Sequence, residues 1–152
     1  MIIEKVVDDI NNIVPEGRAI DYIRVTHDLL EKPHQKLTTE NGKTIKISLI
    51  HGENLYCGAI LLMNDEELVV VDLLEEKVFE LKPSGNLEWA KTAFNIGNMH
   101  QKAYLYDDCI RVPYDYVLEK MIESLGVEYS IEMRKLDGIK ANASVASTHS
   151  HE

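Results

Sequence analysis

At Leu74 the hydrophobic patterning of this chain changes character, and that change narrows the folds open to it. Before it, apolar residues come in short runs broken by turn formers. Tyr22-Ile23-Arg24-Val25 alternates, and Thr44-Ile45-Lys46-Ile47-Ser48-Leu49 has period two, which puts Ile45, Ile47 and Leu49 on one strand face. Asn41-Gly42 is a strong two-residue hairpin signal and predicts paired strands within 36–49. Ala59-Ile60-Leu61-Leu62-Met63 and Leu68-Val69-Val70-Val71 are continuous apolar runs around Asn64-Asp65-Glu66, a pattern expected of strands buried on both faces. With the apolar opening Ile2–Val7, and with Pro15, Gly17, Pro33 and Gly52 as punctuation, residues 1–74 are expected to form a β-rich domain.

Beyond Leu74, helical and extended periods alternate. Glu75–Leu81 reads as a strand, and Pro83-Ser84-Gly85 introduces a helix. Its apolar positions Leu87, Ala90, Phe94 and Gly97 are expected to face inward, flanked by Trp89, Ala93 and Ile96, with Gly97 closing it. Ala103–Tyr106 and Cys109–Val112 form a hairpin across Asp107-Asp108. Asp115 then caps a second helix with Val117, Leu118, Met121, Ile122 and Leu125 inward and Gly126 at its end. Val127, Tyr129, Ile131 and Met133 alternate with polar residues as a last strand. The order is βαββαβ, the split βαβ of ferredoxin-like domains, over residues 75–136. From Asp137 the periodicity stops, and 137–152 is expected to be a flexible tail, too small and polar to offset its ordering cost. With about 14 flexible residues between Arg134 and His149, its root-mean-square reach is roughly 20 Å. The expected class is therefore α+β: an all-β domain, a ferredoxin-like domain and a histidine-bearing tail.

A chain of 152 residues with 45% hydrophobic content can bury one ordinary core or two small ones. No apolar run approaches the roughly 20 residues needed to span a bilayer, and the start, Met1-Ile2-Ile3-Glu4-Lys5, has no secretory pattern, so a cytoplasmic location without membrane contact is expected. A net charge of −10 argues against binding nucleic acid phosphates. Cys57 and Cys109 stand far apart without Cys-x-x-Cys spacing, and are expected to be reduced structural thiols.

Histidines carry the candidate chemistry. His100 closes Phe94-Asn95-Ile96-Gly97-Asn98-Met99-His100 after the predicted helix, and His149-Ser150-His151 lies in the polar tail. One imidazole on a folded surface with two on an arm can supply neutral nitrogen donors to a borderline transition ion without a permanent cage. A lone imidazole cannot hold an ion, but a symmetric dimer with His100 near its twofold axis brings two together. Read alone, the tail histidines fit a solvated terminus equally well. His27, His34 and His51 read as surface residues, Met99 as packing, and Asp107-Asp108 as a turn. Cys109 with His100 as nucleophile and base lacks any local catalytic signature, and no Gly-rich phosphate loop, Gly-x-Ser-x-Gly elbow or His-Glu-x-x-His motif is present. Nothing points to an enzyme.

Three stretches, in this order and spacing, resemble the urease nickel metallochaperones, the accessory proteins that carry nickel to urease. They are Leu37–Ile47, Ala93–His100 and Val112-Pro113-Tyr114-Asp115-Tyr116-Val117-Leu118-Glu119-Lys120-Met121, with the His-x-His terminus behind them. The resemblance implies an N-terminal domain likened to peptide-binding chaperone domains and a ferredoxin-like domain that dimerises. It implies nickel(II) held at the dimer interface by His100, with His149 and His151 assisting, and with zinc or copper as alternative ions. The partners it implies are a second copy of the chain, or a dimer of dimers, together with the urease accessory GTPase and the urease apoprotein. Met99 stands where the family usually has Arg, Tyr116 where relatives often have His, and the tail has two histidines where many have long runs, so few ions per dimer are expected. The competing reading is a metal-independent interaction scaffold in urease maturation.

Overall fold

In the computed structural model, which describes residues 2–141, chain contacts divide the protein into two compact units, Met1–Leu74 and Glu75–Glu152. The first unit holds seven strands among its described residues: β1 (Ile2–Ile3), β2 (Asp8–Asp9), β3 (Ala19–Val25), β4 (His34–Thr38), β5 (Thr44–Ser48), β6 (Ala59–Met63) and β7 (Glu67–Leu73). They make a three-stranded sheet, β1-β5-β4, and a four-stranded sheet, β2-β6-β7-β3. β4 and β5 form the hairpin expected around Asn41-Gly42, in antiparallel register from His34↔Ser48 to Thr38↔Thr44. Gly42 takes φ +89° at the turn, a conformation that costs glycine little. The hairpin tip is pinned from outside: the Asp21 carboxylate accepts the Asn41 N–H at 3.0 Å, the Tyr22 carbonyl accepts the Glu40 N–H, and Arg24 and Lys43 pair with Glu40 and Glu67.

The continuous runs are buried on both faces, as their lack of alternation predicts. Ala59, Leu61, Val69 and Val71 join Ile23, Ile45 and Ile47 in the main core, while Ile60, Leu68 and Val70 turn to the opposite face and pack with Ile10, Ile13, Ile20 and Tyr22. Asn64 caps the connecting turn, its side-chain oxygen accepting the N–H groups of Glu66 and Glu67 at 2.9 Å.

The second unit runs β8 (Glu76–Leu81), α1 (Gly85–Asn98), β9 (Tyr104–Leu105), β10 (Ile110–Pro113), α2 (Glu119–Ser124), β11 (Tyr129–Arg134) and β12 (Ile139–Lys140). Its sheet has the order β11-β8-β10-β9-β12, every pair antiparallel. Phe79, Leu81, Ile110 and Val112 pack on Ile96, Leu118, Ile122 and Val127 in one core. The protein is thus two sheet-rich units with a few helices, and no described helix is long and apolar enough to cross a membrane.

Three expectations are corrected here. The face of α1 expected inward, Leu87, Ala90, Phe94 and Gly97, is exposed; the neighbouring stripe of Trp89, Thr92, Ala93 and Ile96 packs inward instead. In the second helical segment Leu118 and Ile122 are buried, but Val117 and Met121 are exposed, because the segment begins as a 3-10 turn over Tyr116–Leu118 that rotates the following residues. The chain is also ordered past Asp137: Leu136 is 2% exposed and Ile139–Lys140 pairs with β9, so the segment expected to be flexible from 137 is held to the sheet as far as Ala141.

Candidate metal site

His100 is placed by the way α1 ends. Met99, the C-terminal cap, packs its side chain into the core. The chain then reverses: the His100 N–H donates to the Gly97 carbonyl at 3.0 Å and the Gln101 N–H to the Ile96 carbonyl at 3.4 Å, the paired bonds of a Schellman motif. The residue between them must be left-handed, a position that glycine usually fills, and here it is His100 with φ +58°. Gly97, expected to close the helix, lies within it one turn earlier. The outcome is an exposed imidazole whose ring makes no hydrogen bond or ion pair with any described residue. A strained histidine where glycine serves better directs attention to the side chain rather than the backbone.

The surface beside it is apolar. Phe94 and Leu87, seven residues apart, share the outward face of α1 and are 73% and 84% exposed. Phe94 lies six residues ahead of His100, about 9 Å along a helix axis. On the same unit Tyr116, Val117, Ile131 and Met133 are exposed as well. Sequence reasoning missed this surface because Leu87–Phe94 and Trp89–Ile96 are both seven-residue spacings, and periodicity alone does not say which stripe meets the sheet. His149 and His151 lie outside the described residues.

Other histidines and cysteines fall elsewhere. His34 is exposed, with its ring nitrogen Nδ1 3.0 Å from the Ser48 hydroxyl, and His51 is exposed. His27, expected on the surface, is half-buried, its ring 4.0 Å from the Asp28 carboxylate. Cys57 and Cys109 are free thiols. Cys109 is buried with its Sγ 3.6 Å from a Glu80 carboxylate oxygen, and burial followed by that negative charge pushes its pKa up to about 11. A nucleophilic cysteine needs the opposite shift. Asp107 and Asp108 form the exposed hairpin tip between β9 and β10, where the Tyr106 N–H donates to the Cys109 carbonyl.

Residues 3–74 match the family model described as UreE urease accessory protein, N-terminal domain, and residues 76–152 match that of the UreE C-terminal domain. The chain belongs to the UreE urease accessory protein family. Proteins named urease accessory protein UreE are similar along nearly all of it. The one from Staphylococcus carnosus (strain TM300) is 32% identical over 98% of this chain and 99% of its own. That from Bacillus cereus (strain ATCC 10987 / NRS 248) is 34% identical over 90% of this chain and 92% of its own, and that from Bacillus sp. (strain TB-90) is 31% identical over the same shares. UreE proteins are accessory chaperones of urease maturation rather than enzymes.

Proposed function

We propose that this UreE protein is a nickel-binding metallochaperone that delivers nickel(II) for assembly of the urease active site. The observation that carries the reading is His100: an exposed imidazole, without a partner among the described residues, held in a left-handed conformation at the end of α1. Nickel is the cargo. One imidazole cannot retain it, so further donors come from a second copy of the chain and from His149 and His151. The exposed Phe94 on the last turns of α1 supports a homodimer that brings two His100 side chains together. The ferredoxin-like description of the second unit draws support from its antiparallel strand order, in which β8 lies between β11 and β10 and β9 follows β10.

Capture and release then follow from ordinary ligand chemistry. Imidazole binds a metal as the neutral base, so protons compete with the ion for the same nitrogen. A tethered imidazole adds affinity through its effective concentration, yet yields to the ligands of an approaching partner. The partners of this reading are the urease accessory GTPase and the urease apoprotein, met in the cytoplasm; zinc or copper(II) would compete for the same nitrogens.

Calorimetric nickel titration of the wild type and His100→Ala, with the oligomeric state read by light scattering, tests the proposal. Loss of the tightest binding event in His100→Ala is expected. Unchanged stoichiometry and affinity would overturn it.

A metal-independent scaffold is the second reading. It is favoured by the shallow cleft of the first unit lined by Ile2, Ile3, Val7, Ile50 and Leu61, where Ile2, Val7 and Ile50 are half-exposed. Capture of maturation partners that is indifferent to chelator and to nickel would select it.

A further inference from the structure

One edge of the second unit's sheet is open. β11 ends the strand order β11-β8-β10-β9-β12, and it pairs with β8 from Tyr129↔Leu81 to Arg134↔Glu76 without a shift of register. The opposite edge is the two-residue β12. In the first unit the edge strand β4 carries Lys36 at its middle and follows Pro33, two devices that discourage further pairing. β11 has no Lys, Pro or Gly, and its exposed Ile131 and Met133 stand on the same strand face.

One bond fixes the direction of every backbone group on β11. The Lys82 N–H donates to the Glu128 carbonyl at 2.8 Å, so these two residues are a hydrogen-bonded pair of the antiparallel ladder. Such pairs recur at every second residue, which turns the backbone groups of Ser130, Glu132 and Arg134 toward β8. Those of Tyr129, Ile131 and Met133 point away from the sheet; the Met133 carbonyl accepts from its neighbour Arg134 at 3.1 Å. Side chains divide in the same way. Tyr129 meets the Phe79 ring edge-on in the core beneath the helices, and Ile131 lies opposite Phe79 in register. On the other face Arg134 lies 3.4 Å from the Glu80 carboxylate and 3.5 Å from that of Glu132.

A second copy of β11 fits this edge best in one register. A twofold axis between two residues would set outward backbone groups against inward ones, so the axis must pass through a residue. Axes at Ile131 and at Glu132 each keep five residues of β11 paired. The axis at Glu132 sets that carboxylate opposite itself, and like charges so placed are destabilising. The axis at Ile131 sets Ile131 opposite Ile131, Tyr129 opposite Met133, Ser130 opposite Glu132 and Glu128 opposite Arg134. Apolar residues then face apolar ones, and each arginine meets a carboxylate of the other copy.

We propose that the β11 edge is a self-association surface, at which a second copy of the chain adds its own β11 antiparallel about Ile131 and continues the five-stranded sheet through both copies. β9, the strand that follows His100, then stands seven strand steps from its counterpart, about 33 Å away. This contact is therefore separate from one that pairs two His100 side chains, and it needs no metal. Residues 128–134 are far fewer than the roughly 20–30 a side of a standard interface, so the contact is weak and forms at submillimolar rather than micromolar concentration.

The test is amide exchange of the wild type in chelator, from micromolar to millimolar concentration, beside Ile131→Lys, His100→Ala and the oxidised variants Ile131→Cys and Met133→Cys. The Tyr129, Ile131 and Met133 amides are expected to slow as concentration rises, in the wild type and in His100→Ala alike. The Ser130 and Glu132 amides, already bonded to β8, should not change. Ile131→Lys sets two cations across the axis and should weaken the association about fivefold or more. Opposed residues of a hydrogen-bonded pair have Cα atoms about 5.5 Å apart, within disulfide range, whereas the two Met133 positions stand four residues apart along the strands, about 13 Å. Ile131→Cys should therefore crosslink and Met133→Cys should not, with the native Cys57 and Cys109 common to both. Crosslinking of Met133→Cys as fast as Ile131→Cys would overturn the proposal. Three amides that stay open up to millimolar concentration would leave the edge to a strand of another protein, and would overturn it too. So would protection that appears only with nickel or is lost in His100→Ala, because the contact would then belong to the metal site.

Discussion

A left-handed backbone brings the β-carbon of an L-residue close to its own carbonyl, which costs on the order of 1 kcal/mol and which glycine avoids. His100 bears that cost at φ +58°, although the Schellman bonds around it would accept glycine. His100→Gly is therefore expected to stabilise the second unit by about 0.5–1 kcal/mol, raising its melting temperature by a few degrees, while abolishing tight nickel binding. His100→Ala, which keeps the β-carbon, should lose nickel without that gain. Paired thermal melts and titrations of the two variants decide it, and equal melting temperatures would remove the strain argument. Cys109 makes the contrary case of a residue with no exposed chemistry. Its thiol, lifted to about 11 by burial and by Glu80, should resist alkylation in the native chain at pH 8. In the unfolded chain the same thiol ionises near 8.5–9. Between there and about 11 the folded state therefore holds the extra proton, and stability contributed by the neutral thiol is complete below pH 8 and declines as pH rises through that window. Alkaline denaturant titrations of wild type and Cys109→Ser would show the decline shrink in the variant.

Elements were legible where a single local signal decides them. Asn41-Gly42 names its own turn, and the unbroken runs Ala59–Met63 and Leu68–Val71 can satisfy burial only with apolar surface on both faces, as the two cores around them show. Asp115 was legible as a cap, and its side chain accepts the Val117 N–H at 2.9 Å. Removing it should cost about 1 kcal/mol, so Asp115→Ala is expected to unfold at lower denaturant than wild type with Asp115→Asn close to wild type. If alanine were as stable as aspartate, the 3-10 turn would be held by Leu118 packing alone. The face of α1 was not legible, because two stripes one step apart on the helix have the same spacing and only the sheet beneath selects between them. Nor was the course of residues 135–141 along the sheet, which is held by distant pairs: Tyr106 with 135–138 and Arg111 with Lys135. Its one local sign is Asp137-Gly138, a turn dipeptide directly after Leu136 in a stretch otherwise without period. Of the proposed site, His100 could be singled out from sequence, whereas its left-handed backbone and the apolar face beside it could not.

At the scale of the whole molecule, the proposed nickel reading makes dimerisation the step that turns His100 into a site. Each chain carries a formal net charge of −10, so in the proposed dimer an apolar contact would have to offset the repulsion of two copies. Phe94, 73% exposed and six residues before His100, is the side chain proposed to do so. Because it contributes little to its own core, Phe94→Glu should leave the fold intact while placing a like charge in each half of the interface. The expected outcome is a shift toward monomer by light scattering at micromolar concentration, with a loss of the tightest nickel event of tenfold or more. Added salt, by screening the repulsion, should recover part of the dimer in the variant. A dimer that survives Phe94→Glu would move the interface elsewhere on the unit, to the exposed Tyr116 and Val117 or to Ile131 and Met133. Complete dissociation with nickel affinity unchanged would be more damaging, since it would mean that one chain supplies every donor and that no pair of His100 side chains is needed.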